Sequence, residues 1–213
     1  MNALGYGVQL LDKERCCGVA LISNGLYKQA RRQAETNLAS LRTAVGGRGL
    51  DVITTSSTCT FTLRDEYPHL LGLQNDDVRE RIELATRYLY RLLREEGHKL
   101  RFKDASPLRV AYHTPCHMEK MGWACYSIEL LRMIPGVEVT VLDSQCCGIA
   151  GTYGFKKENY ATSQAIGEPL FRQIEASGAD LVATDCETCK WQIEMSTSKP
   201  CEHPLSILAS RLA

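Results

Sequence analysis

The sequence predicts an α/β fold made of two tandem repeated units, each with a short parallel sheet flanked by helices and related by a pseudo-twofold axis. The first observation is a repeat. The tripeptide Cys-Cys-Gly occurs at Cys16 and again at Cys146, and the same offset of 130 residues carries Cys59 onto Cys189 without a gap. The second observation is that short apolar runs alternate with helix-length periodic segments. Strands separated by such helices pair in parallel.

The second unit supplies most of the predicted strands. Residues 109–112, 137–142 and 181–184 are short runs rich in apolar and β-branched side chains, as is typical of buried strands. Residues 158–177 have apolar positions at helical spacing, and Gly178 suits the end of that helix. These elements predict a complete strand–helix unit over residues 98–213.

The first unit is predicted over residues 1–97. Residues 76–96 carry apolar side chains at three- and four-residue spacing, which predicts one amphipathic helix connecting the units. The polar residues 98–107 are the predicted linker. Basic side chains over residues 87–101 allow two interpretations, a peripheral membrane contact or a solvated helix face.

The first unit is expected to be N-terminally incomplete. Carrying Cys116 back by 130 residues passes the first residue of the chain, so the leading strand, cysteine and helix of the second unit have no counterpart here. The alternative is a first unit that evolved a shorter form.

Composition narrows the function classes. Lysine plus arginine balances aspartate plus glutamate at 25 each, which argues against a nucleic-acid binder that works by phosphate neutralisation. Apolar runs are too short to span a bilayer, and the first residues lack the pattern of a signal peptide. Ten cysteines in such a chain favour metal or redox chemistry over disulfides.

The candidate site of the second unit comprises five cysteines, each expected where a strand ends. The carboxyl ends of neighbouring parallel strands lie side by side, so these thiols are expected to converge. Five thiolates exceed the four ligands of a structural zinc, and adjacent cysteines suit a larger group with several metal atoms. An iron–sulfur cluster is therefore predicted, with zinc and inert buried cysteines as alternatives. The predicted ligands are Cys116, Cys146, Cys147, Cys186 and Cys189.

The first unit retains fewer candidate ligands, namely Cys16, Cys17 and Cys59, with Ser56 in the place that Cys186 holds in the second unit. A serine hydroxyl stays protonated near neutral pH and is a poor iron ligand, so a second cluster here is doubtful. Two further cysteines lie outside the repeat. Cys125 is interpreted as a small core residue, and Cys201 has no predicted role.

Two histidines flank the first ligand of the second unit. His113 and His117 stand on either side of the run that contains Cys116. They either donate hydrogen bonds to a cluster or serve as capping and core residues.

These motifs resemble the cysteine-rich domain family, in which one cysteine is followed after about thirty residues by Cys-Cys-Gly and then by Cys-x-x-Cys. The family includes the cysteine-rich subunit of heterodisulfide reductase and the iron–sulfur subunits of glycolate, lactate and glycerol-3-phosphate oxidation. The glycerol-3-phosphate branch is the better match. The residues that carry it are the runs at 12–18, 56–59, 63–68, 112–117 and 143–154.

The resemblance implies an iron–sulfur electron-transfer subunit without substrate chemistry of its own. It implies one cluster, of the [4Fe-4S] type, in the second unit, and partners that are the flavoprotein subunits of a glycerol-3-phosphate dehydrogenase. It also implies electron delivery to the quinone pool from a peripheral position on the cytoplasmic side of the inner membrane. The alternatives are a heterodisulfide-reductase-like enzyme and a zinc-stabilised anchoring scaffold. The family's ferredoxin-like cysteine runs do not occur in this sequence.

Overall fold

The structure is a computed structural model that describes residues 1–143 and 145–213. Its strands are β1 (Val52–Thr54), β2 (Ile82–Leu84), β3 (Leu108–Tyr112), β4 (Val137–Val141), β5 (Leu181–Ala183) and β6 (Cys201–Glu202). Its helices are α1 (Val19–Ile22), α2 (Tyr27–Arg42), α3 (Ser57–Phe61), α4 (Tyr67–Leu71), α5 (Asp76–Arg79), α6 (Ala85–Arg94), α7 (Cys116–Met121), α8 (Ala124–Arg132), α9 (Tyr160–Ala176), α10 (Glu187–Ser196) and α11 (Pro204–Ser210).

The strands form two small parallel sheets flanked by helices, which confirms the predicted fold class. In the first unit β1 pairs with β2. In the second unit the order is β4-β3-β5-β6, with all neighbours parallel. The predicted strands at 109–112, 137–142 and 181–184 correspond to β3, β4 and β5, and the predicted helix at 158–177 corresponds to α9.

The two units place equivalent cysteines on equivalent elements. Cys59 and Cys189 each occupy the third helical position of the helix that follows a short strand, in α3 after β1 and in α10 after β5. The residues that precede these helices, Ser56 and Cys186, are both extended. The predicted correspondence of Cys59 with Cys189 is therefore confirmed.

The predicted single helix over residues 76–96 is wrong. The segment contains α5, then β2, then α6. Ile82, Glu83 and Leu84 are buried and extended because they pair with β1 in parallel register. Apolar side chains spaced four residues apart lie on one face of either a helix or a strand. Here the pairing with β1 outweighs the helical pattern.

Helix α6 packs on the second unit. Leu89 and Leu93 lie in the same buried cluster as Val110 and Leu130, which belong to β3 and α8. The predicted boundary between the units at residue 97 stays a prediction. Helix α6 follows the first sheet in sequence but packs against the second.

The basic side chains of α6 are largely engaged within the fold. Arg87 and Arg91 both form ion pairs with the buried carboxylate of Glu83, at 3.0 and 3.3 Å. The Arg87 guanidinium also lies 4.5 Å from the ring centre of Trp123. These contacts favour an internal role for this face over a membrane contact.

Residues 7–11 differ from their counterpart in the second unit. The 130-residue offset aligns them with β4, yet they form no strand, and Val8 and Leu10 are 60% and 81% exposed. A strand needs a hydrogen-bonded neighbour, and within the described residues none pairs with this segment. Over the same described residues, no helix has the length and apolar character needed to cross a bilayer.

Candidate metal centre

The cysteines of the second unit gather at the carboxyl edge of its sheet. Cys116 begins α7 after β3, the Cys146–Cys147 pair follows β4, and Cys186 joins β5 to α10, whose first turn contains Cys189. The Sγ atoms of Cys147 and Cys189 are 3.2 Å apart. Burial raises the pKa of the Cys116 thiol, and the nearby Cys186 and Cys147 raise it further. All five predicted ligands thus lie in one region, with Cys116 and Cys146 on its exposed side.

Helix α9 shapes the loop that presents Cys146 and Cys147. Gly148 has φ +90°, and a Cβ atom there would collide with the Ser163 carbonyl oxygen. The Ser163 hydroxyl donates to the Gly148 carbonyl oxygen at 2.9 Å. The Gly148 amide lies 3.3 Å from Cys146 Sγ and donates to it. Glycine is required here because the backbone both turns left-handed and touches the helix.

Neighbouring thiols of the second unit shift one another's pKa. Hydrogen bonding with Cys146 and Cys189 holds the pKa of Cys147 well below its usual range, and the pKa values of Cys146 and Cys189 are raised. Cys186 has its pKa lowered to about 6, mainly by hydrogen bonding with Cys189 and further by Thr188 and Thr58. Cys147 and Cys186 therefore favour the thiolate form, which is the form that binds a metal, whereas Cys116, Cys146 and Cys189 favour the thiol.

His113 supplies a separate observation that the site fits a metal group. The side chain is 1% exposed, and neither ring nitrogen makes a hydrogen bond of full geometry with the described residues, although His113 lies close enough to Cys147 to help lower the pKa of that thiol. Its ligand atom and the sulfurs of Cys147 and Cys189 lie within 4.8 Å of one another. A buried imidazole without a full hydrogen bond is costly, and a metal or a metal-bound sulfur would satisfy it.

The first unit holds a smaller thiol set. The Sγ atoms of Cys17 and Cys59 are 3.4 Å apart, and the pKa of Cys59 is lowered, first by its hydrogen bond with Cys17 and also by the Ser56 hydroxyl. Cys16 is near both sulfurs and is exposed. The structure thus brings Cys16, Cys17 and Cys59 together, with the Ser56 hydroxyl where the second unit has the buried thiol of Cys186.

The two cysteines outside the repeat differ from expectation. Cys125 is exposed on α8, where its thiol faces the Gly122 carbonyl oxygen at 3.8 Å, so its interpretation as a core residue is wrong. The core face of α8 consists instead of Ser127, Leu130 and Leu131. Cys201, which had no predicted role, is fully buried in β6 within the cluster that includes Cys186, and burial raises its pKa to about 12.

Fold and site together define an α/β protein with a duplicated cysteine cluster at the carboxyl edges of its parallel sheets. A family model described as "cysteine-rich domain" matches residues 1–64 and 110–194, and the chain belongs to that family. This confirms the resemblance inferred from the motifs.

Relatives extend the comparison. The chain is 70% identical over 213 residues to a subunit of the anaerobic glycerol-3-phosphate dehydrogenase of Escherichia coli strain K12, covering 100% of this chain and 53% of the relative. It is 26% identical over 204 residues to an uncharacterized iron–sulfur protein of Methanocaldococcus jannaschii, covering 93% and 37%. The chain therefore spans about half the length, or less, of these curated relatives.

One solved structure shares a weak likeness. A putative Asp/Glu racemase from Yersinia pestis superposes with a TM-score of 0.36 at 14% identity, over 89% of this chain and 75% of that one.

Proposed function

We propose that this chain is the cysteine-rich part of an iron–sulfur electron-transfer subunit, which accepts electrons from a flavin-dependent glycerol-3-phosphate dehydrogenase. The convergence of five cysteines at one sheet edge carries the proposal, because thiols gain little from one another unless they share a bound group. The 70% identity to a subunit of an anaerobic glycerol-3-phosphate dehydrogenase supports the choice of partner.

The proposed ligands of one [4Fe-4S]-type cluster are Cys116, Cys146, Cys147, Cys186 and Cys189. When bound, such a cluster supplies a one-electron store. The chain's own contribution is to hold the thiolates, to bury three of the sulfurs, and to aim His113 at two of them. A second cluster on Cys16, Cys17 and Cys59 has weaker support, because Ser56 replaces a thiol.

A docking face for the dehydrogenase is proposed beside the cysteines. Tyr153, Phe155 and Trp191 are between 41% and 55% exposed, and the Phe155 and Trp191 rings lie 6.0 Å apart. Phe155 is close in sequence to the Cys146–Cys147 loop, and Trp191 follows Cys189 on α10. Exposed aromatic side chains are typical of interface centres. Delivery to quinone, from a peripheral position at the cytoplasmic side of the inner membrane, completes the proposal.

The test has two stages on anaerobically purified protein. Iron, acid-labile sulfide and zinc are first quantified together, and about four irons with matching sulfide are expected. The loaded chain is then mixed with the partner flavoprotein. Glycerol 3-phosphate is expected to bleach the cluster absorbance, whereas a sample without glycerol 3-phosphate stays oxidised.

Other results would separate the alternatives. Zinc without iron or sulfide would identify an anchoring scaffold. Release of thiols from a disulfide substrate by the reduced protein would identify a heterodisulfide-reductase-like enzyme. A loaded cluster that the flavoprotein does not reduce would contradict the proposed electron path.

A further inference from the structure

A threonine of the first unit contacts a candidate ligand of the second. Thr58 precedes Cys59 on α3, yet its Oγ1 lies 3.5 Å from Cys186 Sγ. Helices α3 and α10 begin side by side, because the amide and the hydroxyl of Ser57 both donate to the Asp185 carbonyl oxygen at 2.9 Å. These hydrogen bonds between the two units therefore fix where Thr58 lies.

Cys186 is approached by hydroxyl groups from both units. Thr188, on its own helix, has its Oγ1 3.2 Å from Cys186 Sγ, and Thr58 approaches from α3. A metal-bound thiolate only accepts hydrogen bonds, so a hydroxyl beside it is a donor.

His117 orients the Thr58 hydroxyl. Its Nδ1 lies 3.1 Å from Thr58 Oγ1, and its ring stacks on Phe61 at 4.9 Å with an interplanar angle of 12°. Threonine has a single hydroxyl proton. With the proton of His117 on Nδ1, the imidazole donates to Thr58 Oγ1, and Thr58 in turn donates to Cys186 Sγ.

We propose that Thr58, oriented by His117, is a positioning residue through which the first unit raises the reduction potential of the cluster bound by the second unit. The inference rests on the proposed function. Reduction adds negative charge that spreads onto the ligand sulfurs, and a hydrogen bond to a sulfur stabilises that charge. The first unit, which brings together three thiols where the second brings together five, thereby contributes to the metal centre of its neighbour.

The experiment compares reduction midpoint potentials of anaerobically reconstituted variants with equal iron and sulfide. Thr58→Val removes the hydroxyl, and we expect an approximately tenfold lower equilibrium constant for reduction, a shift of about 59 mV for one electron. Thr58→Ser keeps the donor and should keep the wild-type potential. The matched control is Thr152→Val, because Thr152 also makes a hydroxyl contact between the units, with Ser23 and Asn24.

The outcomes are separable. The inference is supported if the midpoint potential falls in Thr58→Val and stays at the wild-type value in Thr58→Ser and Thr152→Val. If the valine variant does not bind iron and sulfide, Thr58→Ala provides the same comparison. If a variant that lacks the Thr58 hydroxyl binds the full amount of iron and sulfide and keeps the wild-type midpoint potential, the inference is overturned and the proposed function stays intact. Wild-type protein without iron and sulfide would overturn the proposed function and the inference with it.

Discussion

At the scale of single residues, the cysteine loop depends on close contact between Gly148 and α9. The left-handed backbone at Gly148 and the Ser163 carbonyl oxygen beside it leave no room for a side chain. The corresponding Gly18 of the first unit is also left-handed, with φ +96°, but the atoms nearest to a Cβ there belong to Ala30 and lie 3.7 Å away, an ordinary contact distance. The two glycines therefore share a backbone requirement and differ in steric confinement.

Replacing each glycine with alanine separates these effects. Gly18→Ala should lower the free energy of unfolding by about 1–2 kcal/mol, the cost of a left-handed alanine. Gly148→Ala should cost about 1–3 kcal/mol more, because the added methyl group displaces α9. Urea denaturation of the metal-free proteins measures both. Equal losses in the two variants would show that the loop does not touch α9 as described.

Sequence reasoning had mixed success at this scale. The repeat placed Cys59 and Cys189 at equivalent positions, because covalent spacing along a strand–turn–helix unit is local. His113 was considered as a hydrogen-bond donor to a cluster, but its burial beside two of the sulfurs and the contact of Thr58 with Cys186 were not predicted, since both depend on how separate elements pack. Cys125 was misplaced because one cysteine in an apolar helix does not reveal which face it occupies.

At the scale of elements, β2 and α6 together form part of the contact between the two units. Pairing with β1 places Glu83 in the interior, and α6 begins two residues later, so the buried carboxylate meets Arg87 and Arg91. The helical pattern of residues 76–96 concealed this strand, because three residues are too few to show alternation. A sheet pairing distant in sequence decided the local structure.

The Glu83 carboxylate should matter more than its exposed neighbour. Glu83→Gln removes the charge that both arginines share, and we expect a loss of about 1–3 kcal/mol in the free energy of unfolding. Glu80→Gln is the matched control. Glu80 is 78% exposed and, among the described residues, pairs with Arg64 alone, so a change within about 0.5 kcal/mol is expected. Similar losses in chemical denaturation would contradict the buried role of Glu83.

At the scale of the whole molecule, Asp185 joins the two units through hydrogen bonds. Its buried carboxylate accepts from Tyr112 at 2.6 Å and Ser127 at 2.9 Å in the second unit, and from Thr86 at 3.1 Å on α6. Its carbonyl oxygen accepts from Ser57 of the first unit. The fold class could be predicted from the repeated cysteine motif and the alternation of strands and helices. The contact between the units could not, because it depends on groups about 60 to 130 residues apart in sequence.

Removing the contribution of α6 to this junction should destabilise the chain as a whole. Thr86→Val deletes a buried donor to Asp185, and a loss of about 1–3 kcal/mol is expected. Thr36→Val makes the same change on α2, where the exposed hydroxyl donates to the Arg32 carbonyl oxygen of its own helix, and should change stability by less than about 0.5 kcal/mol. Matching unfolding midpoints for the two variants in urea would argue against a junction held by Asp185.

The central claim, that the converging cysteines of the second unit bind an iron–sulfur cluster, is tested most directly by iron content in two matched variants. Cys147→Ser removes a buried sulfur 3.2 Å from that of Cys189, whereas Cys125→Ser changes an exposed thiol on α8. After identical anaerobic reconstitution, Cys125→Ser should hold the wild-type amount of iron and sulfide, and Cys147→Ser should lose most of both. Comparable iron in the two proteins would contradict the account.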